Sequence, residues 1–106
     1  MKTPDSSSRS NADSCAARLK ALADETRLAV VRHLMSGPSH VGEIQAALGI
    51  EQSLLSHHLR SLRDAGIVEA TRDGKAVLYQ LTPTMKRRRD GIVDLGCCRI
   101  TFDPES

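Results

Sequence analysis

The chain has no tryptophan and only two aromatic residues, Tyr79 and Phe102, among 106. Its core must therefore be built from Leu, Ile, Val and Ala. In one short chain such a core is thin, and dimerisation is expected to supply part of the buried surface. No apolar run approaches the ~18 residues needed to cross a bilayer, so no membrane association is expected. Met1-Lys-Thr-Pro-Asp-Ser-Ser-Ser-Arg-Ser10 has no apolar h-region and is not a secretory signal. These absences point to the cytoplasm, where thiols stay reduced and the three cysteines suit sensing or ligation better than stapling. Net charge is only +2, too little to predict nucleic-acid binding without local clustering. There is no Gly-rich phosphate loop, no Ser-His-carboxylate set and no internal repeat, so no enzyme is expected.

What is present is a series of short amphipathic segments. Residues 1–12, Ser-rich and Pro-containing, read as a disordered tail. Ser14 to Ala23 reads as a helix with Cys15, Leu19, Leu22 and Ala23 on one apolar stripe. Asp24 can cap a second helix to about Met35, burying Leu28, Val31 and Met35, with Gly37-Pro38 as the stop. A third helix begins near His40, three residues before Glu43; a Ser or Thr there would complete a capping box, and His40 departs from that pattern. It ends at Gly49, a left-handed cap and turn residue.

The segment Gln52-Ser-Leu-Leu-Ser-His-His-Leu-Arg-Ser-Leu-Arg63 is the most informative. Ser53, Ser56, His57 and Arg60 fall at i, i+3, i+4 and i+7 and share one helical face. Leu55, Leu59 and Leu62 occupy the opposite face. The polar side holds short hydroxyls, imidazole and guanidinium without acidic residues, groups that donate to base edges and phosphates. An ordinary solvated amphipathic helix is the alternative for this segment taken alone. Glu51, before it, is expected to accept backbone N–H bonds at the helix start. His58 lies between the two faces, as a satisfied half-buried histidine would; His33 and His40 read as surface or capping residues.

Downstream, Ile67–Arg72 and Lys75–Leu81 flank Asp73-Gly74, a strong hairpin signal for a type I′ turn. That register sets Val68 opposite Tyr79, Ala70 opposite Val77, and Arg72 opposite Lys75 at the tip. A helix, a Gly turn, a polar-faced helix and a hairpin together predict a winged helix-turn-helix: mainly α with a small β-hairpin (α+β), and dimeric. The winged-helix DNA-binding and dimerisation domain is assigned to 13–96 and a cysteine-containing tail to 97–106. Thr84–Asp90 and then Ile92, Val93 and Leu95 predict a last helix running to Gly96. Its basic run Lys86–Arg89 reads as a solvated face, a partner contact or a phosphate contact.

Ala21-Leu-Ala-Asp-Glu-Thr-Arg-Leu28, Val41-Gly-Glu-Ile, Ser53-x-x-Ser-His-His-Leu-x-x-Leu62, Ala65-Gly-Ile-Val68 and Arg72-Asp-Gly-Lys75 resemble the ArsR/SmtB family of bacterial winged-helix repressors. The resemblance runs from about Asp13 to Thr82. It implies a homodimer bound to an imperfect palindrome in double-stranded DNA and released by a metal, metalloid or other inducer. DNA-contacting candidates are Gln52, Ser53, Ser56, His57, Arg60, Arg72 and Lys75. The capping Ser usual in the family is replaced here by Glu51.

Cys97 and Cys98 are adjacent, with Cα atoms about 3.8 Å apart, short of the usual disulfide span of about 4.4–6.8 Å. A vicinal disulfide would be strained, whereas two thiolates make a chelating pair for a soft ion. A hydrophobic role remains the plain alternative. The family's paired-cysteine box on the third helix is absent, as Val41-Gly-Glu-Ile-Gln45 stands there, and Thr84–Leu95 lacks the histidines of its last-helix zinc site. The chain is similar instead to arsenic-sensing members with C-terminal vicinal cysteines. That resemblance implies Cys15, Cys97 and Cys98 as ligands for As(III), Sb(III) or an organoarsenical, with no required cofactor. Cys15 lies on the apolar stripe, so a structural role stays open for it, as does the subunit it would come from. Two further functions are carried: a thiol-redox or reactive-sulfur switch with Cys15 bridging to Cys97 or Cys98 across the interface, and a winged-helix interaction module that does not bind DNA.

Overall fold

A computed structural model describes residues 15–83, 85 and 91–103. The predicted disordered tail and the Lys86–Arg89 run lie outside the described residues. Helix α1 is described over residues 15–22; then follow α2 (Glu25–Leu34), β1 (Ser39–His40), α3 (Val41–Leu48), α4 (Gln52–Asp64), β2 (Val68–Asp73), β3 (Ala76–Leu81), β4 (Ile92–Asp94) and β5 (Arg99–Thr101). The sheet order is β1-β3-β2, antiparallel throughout.

Helix α2 starts where its cap residue dictates: the Asp24 carboxylate accepts the Arg27 amide at 3.0 Å. Its buried residues are Val30, Val31 and Leu34, with Leu28 and Met35 only half buried, a stripe rotated from the expected one. In α1 the inward side is Ala21 and Leu22, while Leu19 is 44% exposed and Ala23 lies at the surface. The start of α3 is secured from the acidic side: Glu43 Oε1 accepts the His40 N–H at 2.7 Å. The helix closes on Gly49 at φ 64°, which aims the chain into α4 through a three-residue turn.

Leu55, Leu59 and Leu62 of α4 are buried with Ile44, Val30, Val31 and Leu34 in one core. At its first turn the expected Glu51 cap does not form, since that side chain makes no capping bond. At the other end Gly66 N–H donates to Arg63 O and Ile67 N–H to Leu62 O, both at 2.9 Å. These are the paired bonds of a Schellman motif, with the accompanying apolar contact between buried Leu62 and Ile67.

The hairpin corrects the expected register by two residues. Val68 pairs with Leu81, Ala70 with Tyr79, Arg72 with Val77 and Asp73 with Ala76. A two-residue slip keeps the parity, so the same side chains face inward. The loop is therefore Gly74-Lys75, and the Arg72–Lys75 pair does not form. Gly74 has φ 67° and, among the described residues, no non-glycine residue has positive φ. This is the II′ pattern, which needs glycine only at its first central position and leaves Lys75 unstrained.

The predicted continuation of the last helix through Ile92, Val93 and Leu95 is the larger correction; residues 84 and 86–90, which hold most of its first part, lie outside the described residues. Ile92–Asp94 is a strand paired antiparallel with Arg99–Thr101. Three apolar residues cannot distinguish a period of two from one of 3.6, and here β-branched Ile92 and Val93 have a partner strand with which to satisfy their backbone. The intervening turn is closed by Leu95 N–H to Cys98 O and Gly96 N–H to Asp94 Oδ1, each at 2.8 Å. Val93, Leu95 and Met85 seal the core beneath it. Two arginines clamp the hairpin to the helices. Arg18 of α1 donates to Leu95 O at 2.6 Å. Arg32 of α2 donates to Asp103 O at 3.4 Å and sits 5.2 Å from the centre of the Phe102 ring.

Candidate nucleic-acid interface and cysteine site

Gln52, Ser53, Ser56, His57 and Arg60 all lie exposed on α4, and Arg72 and Lys75 on the wing. Among the described residues the ion pairs all involve histidine, so Arg60, Arg72 and Lys75 carry their charge without an acidic partner. A cation left unpaired on a solvated face is free to meet phosphate. Sequence reasoning passed over Leu54, which is 46% exposed on the same helix and can offer an apolar contact of the kind that reads a thymine methyl. The signal was available, because Leu55, Leu59 and Leu62 complete the buried stripe without it.

The orientation of α4 is fixed from behind. Buried His58 accepts at Nδ1 from Arg27 Nε, 3.0 Å away, so the ring proton belongs on Nε2. Its 3.9 Å approach to the Asp24 carboxylate is therefore not a hydrogen-bonded ion pair. The Asp24 carboxyl is held below its ordinary value chiefly by the Arg27 amide at the helix cap. Arg27 also reaches Ala21 O at 3.4 Å. One guanidinium thus ties α1, α2 and α4 together, and His57 stands edge-on to His58 with ring centres 5.7 Å apart.

The three cysteines meet at the other end of the chain's path. Cys15 lies in α1, while Cys97 and Cys98 occupy the turn between β4 and β5. The bridge expected across the interface forms within one chain instead: Cys15 and Cys97 make a disulfide with Cα atoms 6.0 Å apart. Cys98 is a free, half-buried thiol, its sulfur 3.9 Å from that of Cys97. No vicinal disulfide forms. All three Sγ atoms lie within 4.8 Å of one another, beside a solvent-open cleft of about 390 Å³ lined by Asp94, Gly96, Cys97, Cys98 and Arg99. Reduced, the set offers three soft thiolates of the kind a pyramidal metalloid accepts; oxidised, two of the three are consumed.

Helix, glycine turn, polar-faced helix and hairpin, in that order and packed on one core, define a winged helix-turn-helix, a class of DNA-binding transcriptional regulators and not of enzymes. The particular lineage follows from sequence comparison. Residues 24–70 match the pattern of the bacterial regulatory proteins of the arsR family. The HTH-type transcriptional regulator CmtR of Mycobacterium bovis is 40% identical over 80 residues, 74% of this chain and 68% of CmtR. The regulator NmtR of Mycobacterium tuberculosis is 42% identical over 69 residues, 65% of this chain, which spans 58% of NmtR's length. A homodimeric winged helix-turn-helix DNA-binding domain from Mycobacterium bovis, solved by NMR, superposes with a TM-score of 0.70 at 31% identity, covering 76% of this chain and 75% of that domain. The chain belongs to the arsR family. No helix among the described residues is long and apolar enough to cross a membrane.

Proposed function

We propose that the protein is a cytoplasmic repressor that binds a palindromic operator as a homodimer and leaves it when trivalent arsenic or antimony occupies Cys15, Cys97 and Cys98, or an organoarsenical occupies two of them. The observation that carries the inducer is the grouping of three sulfurs within 4.8 Å, drawn from segments 82 residues apart. In the operator complex Ser53, Ser56 and His57, with Gln52, face base edges, and Arg60, Arg72 and Lys75 hold phosphates. The partner subunit covers the exposed side of α1, where Leu19 is 44% exposed. Arsenic or antimony, when bound, supplies three strong bonds to sulfur. The chain supplies the rest: Arg18 and Arg32 fix the thiol-bearing hairpin to α1 and α2, so that drawing the thiols together shifts helices that carry the dimer and support α4. The required coupling is about 1–3 kcal/mol. Gel-shift titration of a promoter fragment with reduced protein tests the proposal: arsenite alone should release the DNA.

A second function is favoured by one observation, the Cys15–Cys97 disulfide itself. Cytosolic disulfides are usually transient and redox-sensing. In that case hydrogen peroxide takes two electrons from the Cys15 and Cys97 thiols, forming the S–S bond and two waters, and oxidation replaces arsenite as the releasing signal. Peroxide without arsenite separates the two.

A further inference from the structure

We infer that His40 is a positioning residue for operator binding: it latches the wing tip, through Asp73, to the first turn of α3, through Glu43. This rests on the operator-binding function proposed above. His40 stands on the edge strand β1 opposite Leu78, and Asp73 ends β2 on the far side of β3, opposite Ala76. Leu78 in turn pairs with Thr71, so His40, Leu78, Thr71 and Asp73 share one face of the sheet. The imidazole reaches diagonally across β3, where small Ala76 leaves room, and its Nε2 meets Asp73 Oδ2 at 2.8 Å. Its Nδ1 lies 3.3 Å from Glu43 Oε1.

Both ring nitrogens thus face carboxylate oxygens, which only accept. A neutral imidazole can donate to one of them and must turn a lone pair toward the other; only the imidazolium satisfies both. From α3 the facing group is Glu43 and from β2 it is Asp73. Arg72 and Lys75 neighbour Asp73 in sequence, and β3 contributes only uncharged Leu78. On β1, the buried Ser39 hydroxyl donates to Glu43 at 3.3 Å and meets His33 Nε2 of α2 at 3.0 Å. Glu43 is therefore a fixed anchor, and the wing tip is the part that the latch restrains. The hydrogen bond to Asp73, then that to Glu43, raises the His40 pKa above its ordinary 6.5. The latch is accordingly closed below that raised value and opens as pH climbs through it. An exposed ion pair shifts an equilibrium by about threefold, so a dimer with two wings should respond by about tenfold.

The test has a DNA-free and a DNA-bound reading. NMR titration of the His40 ring should give a pKa above the ordinary histidine value in the wild type, falling back in Asp73→Asn. Operator affinity of the reduced protein should drop about tenfold as pH passes that titration, and Asp73→Asn should lose this share of the pH response. Removing a carboxylate beside DNA should tighten binding by charge alone, whereas loss of the latch weakens it at low pH, so the sign of the Asp73→Asn effect decides. His40→Gln should also weaken binding at low pH, the double variant by less than the two single effects combined, and His40→Lys should keep affinity with a flat pH profile. An unshifted His40 titration, additive single variants, or tighter binding by Asp73→Asn at low pH would overturn the latch. Absence of operator binding by the wild type at every pH would instead remove the operator function, with the ring titration still deciding whether the latch exists.

Discussion

Arg60 and Arg72 are exposed cations on two different elements, the outer face of α4 and the wing. Replacing either by alanine should weaken binding to all DNA alike and reduce the salt dependence by about one unit of slope for each phosphate no longer neutralised. Ser56→Ala and His57→Ala should act differently, lowering preference for operator over random DNA by roughly 1–3 kcal/mol per base-specific hydrogen bond. Competition titrations at several salt concentrations separate the two effects. Unchanged binding in all four variants would take the interface off α4 and the wing. The character of these residues was legible because helical spacing alone sorts them from Leu55, Leu59 and Leu62. His58 was legible too, at the seam between faces, although its partner Arg27, 31 positions earlier, was not. His40 reads from the chain as a surface or capping group and turns out to be more: its partner Asp73 is 33 positions away, and only the true sheet register brings them together.

At the scale of elements, the recognition helix owes its place to a leucine stripe with no exposure. Leu62 is fully buried and packs against Ile67 across the helix end, so Leu62→Ala should cost about 2–5 kcal/mol. Urea denaturation at fixed protein concentration measures this, and a loss below about 1 kcal/mol would mean the core collapses around the cavity. The helix-turn-helix was readable because its boundaries have local chemical causes, Asp24 at a start and Gly49 at a turn. The hairpin was readable in kind, but its register was not. Glycine at position 74 permits either a loop of Asp73-Gly74 or one of Gly74-Lys75, and the choice depends on long-range pairing of Val68 with Leu81 and of Ser39 with Tyr79. The C-terminal hairpin was hidden for the same reason. Its strands are three residues each, too short for periodicity to speak, and its stability comes from Arg18, Arg32 and the core beneath.

For the whole molecule, the disulfide joins the first described helix to the last hairpin and closes a loop of 82 residues. By the chain-entropy account such a closure stabilises the folded state by about 4.5 kcal/mol. The oxidised protein should therefore unfold at distinctly higher urea than the reduced one, and Cys15→Ser should abolish the difference. Equal midpoints would mean that Cys15 and Cys97 do not bridge in solution. The cysteines themselves were found from the chain as a set of three, and the structure adds that Cys15 meets the pair within one subunit. What spacing along the chain could not reveal is which of two states the set prefers, because a thiol trio and a disulfide plus one thiol need nearly the same positions.

The central claim is that Cys97 and Cys98, with Cys15, form the inducer site, and operator release by arsenite tests it most directly. With reductant present and oxidant excluded, arsenite should dissociate the wild-type complex in a gel-shift titration. The Cys97→Ser, Cys98→Ser double variant should bind operator as tightly as wild type and stay bound, since hydroxyl is a poor ligand for a soft ion. Normal arsenite-induced release from that double variant would contradict the account.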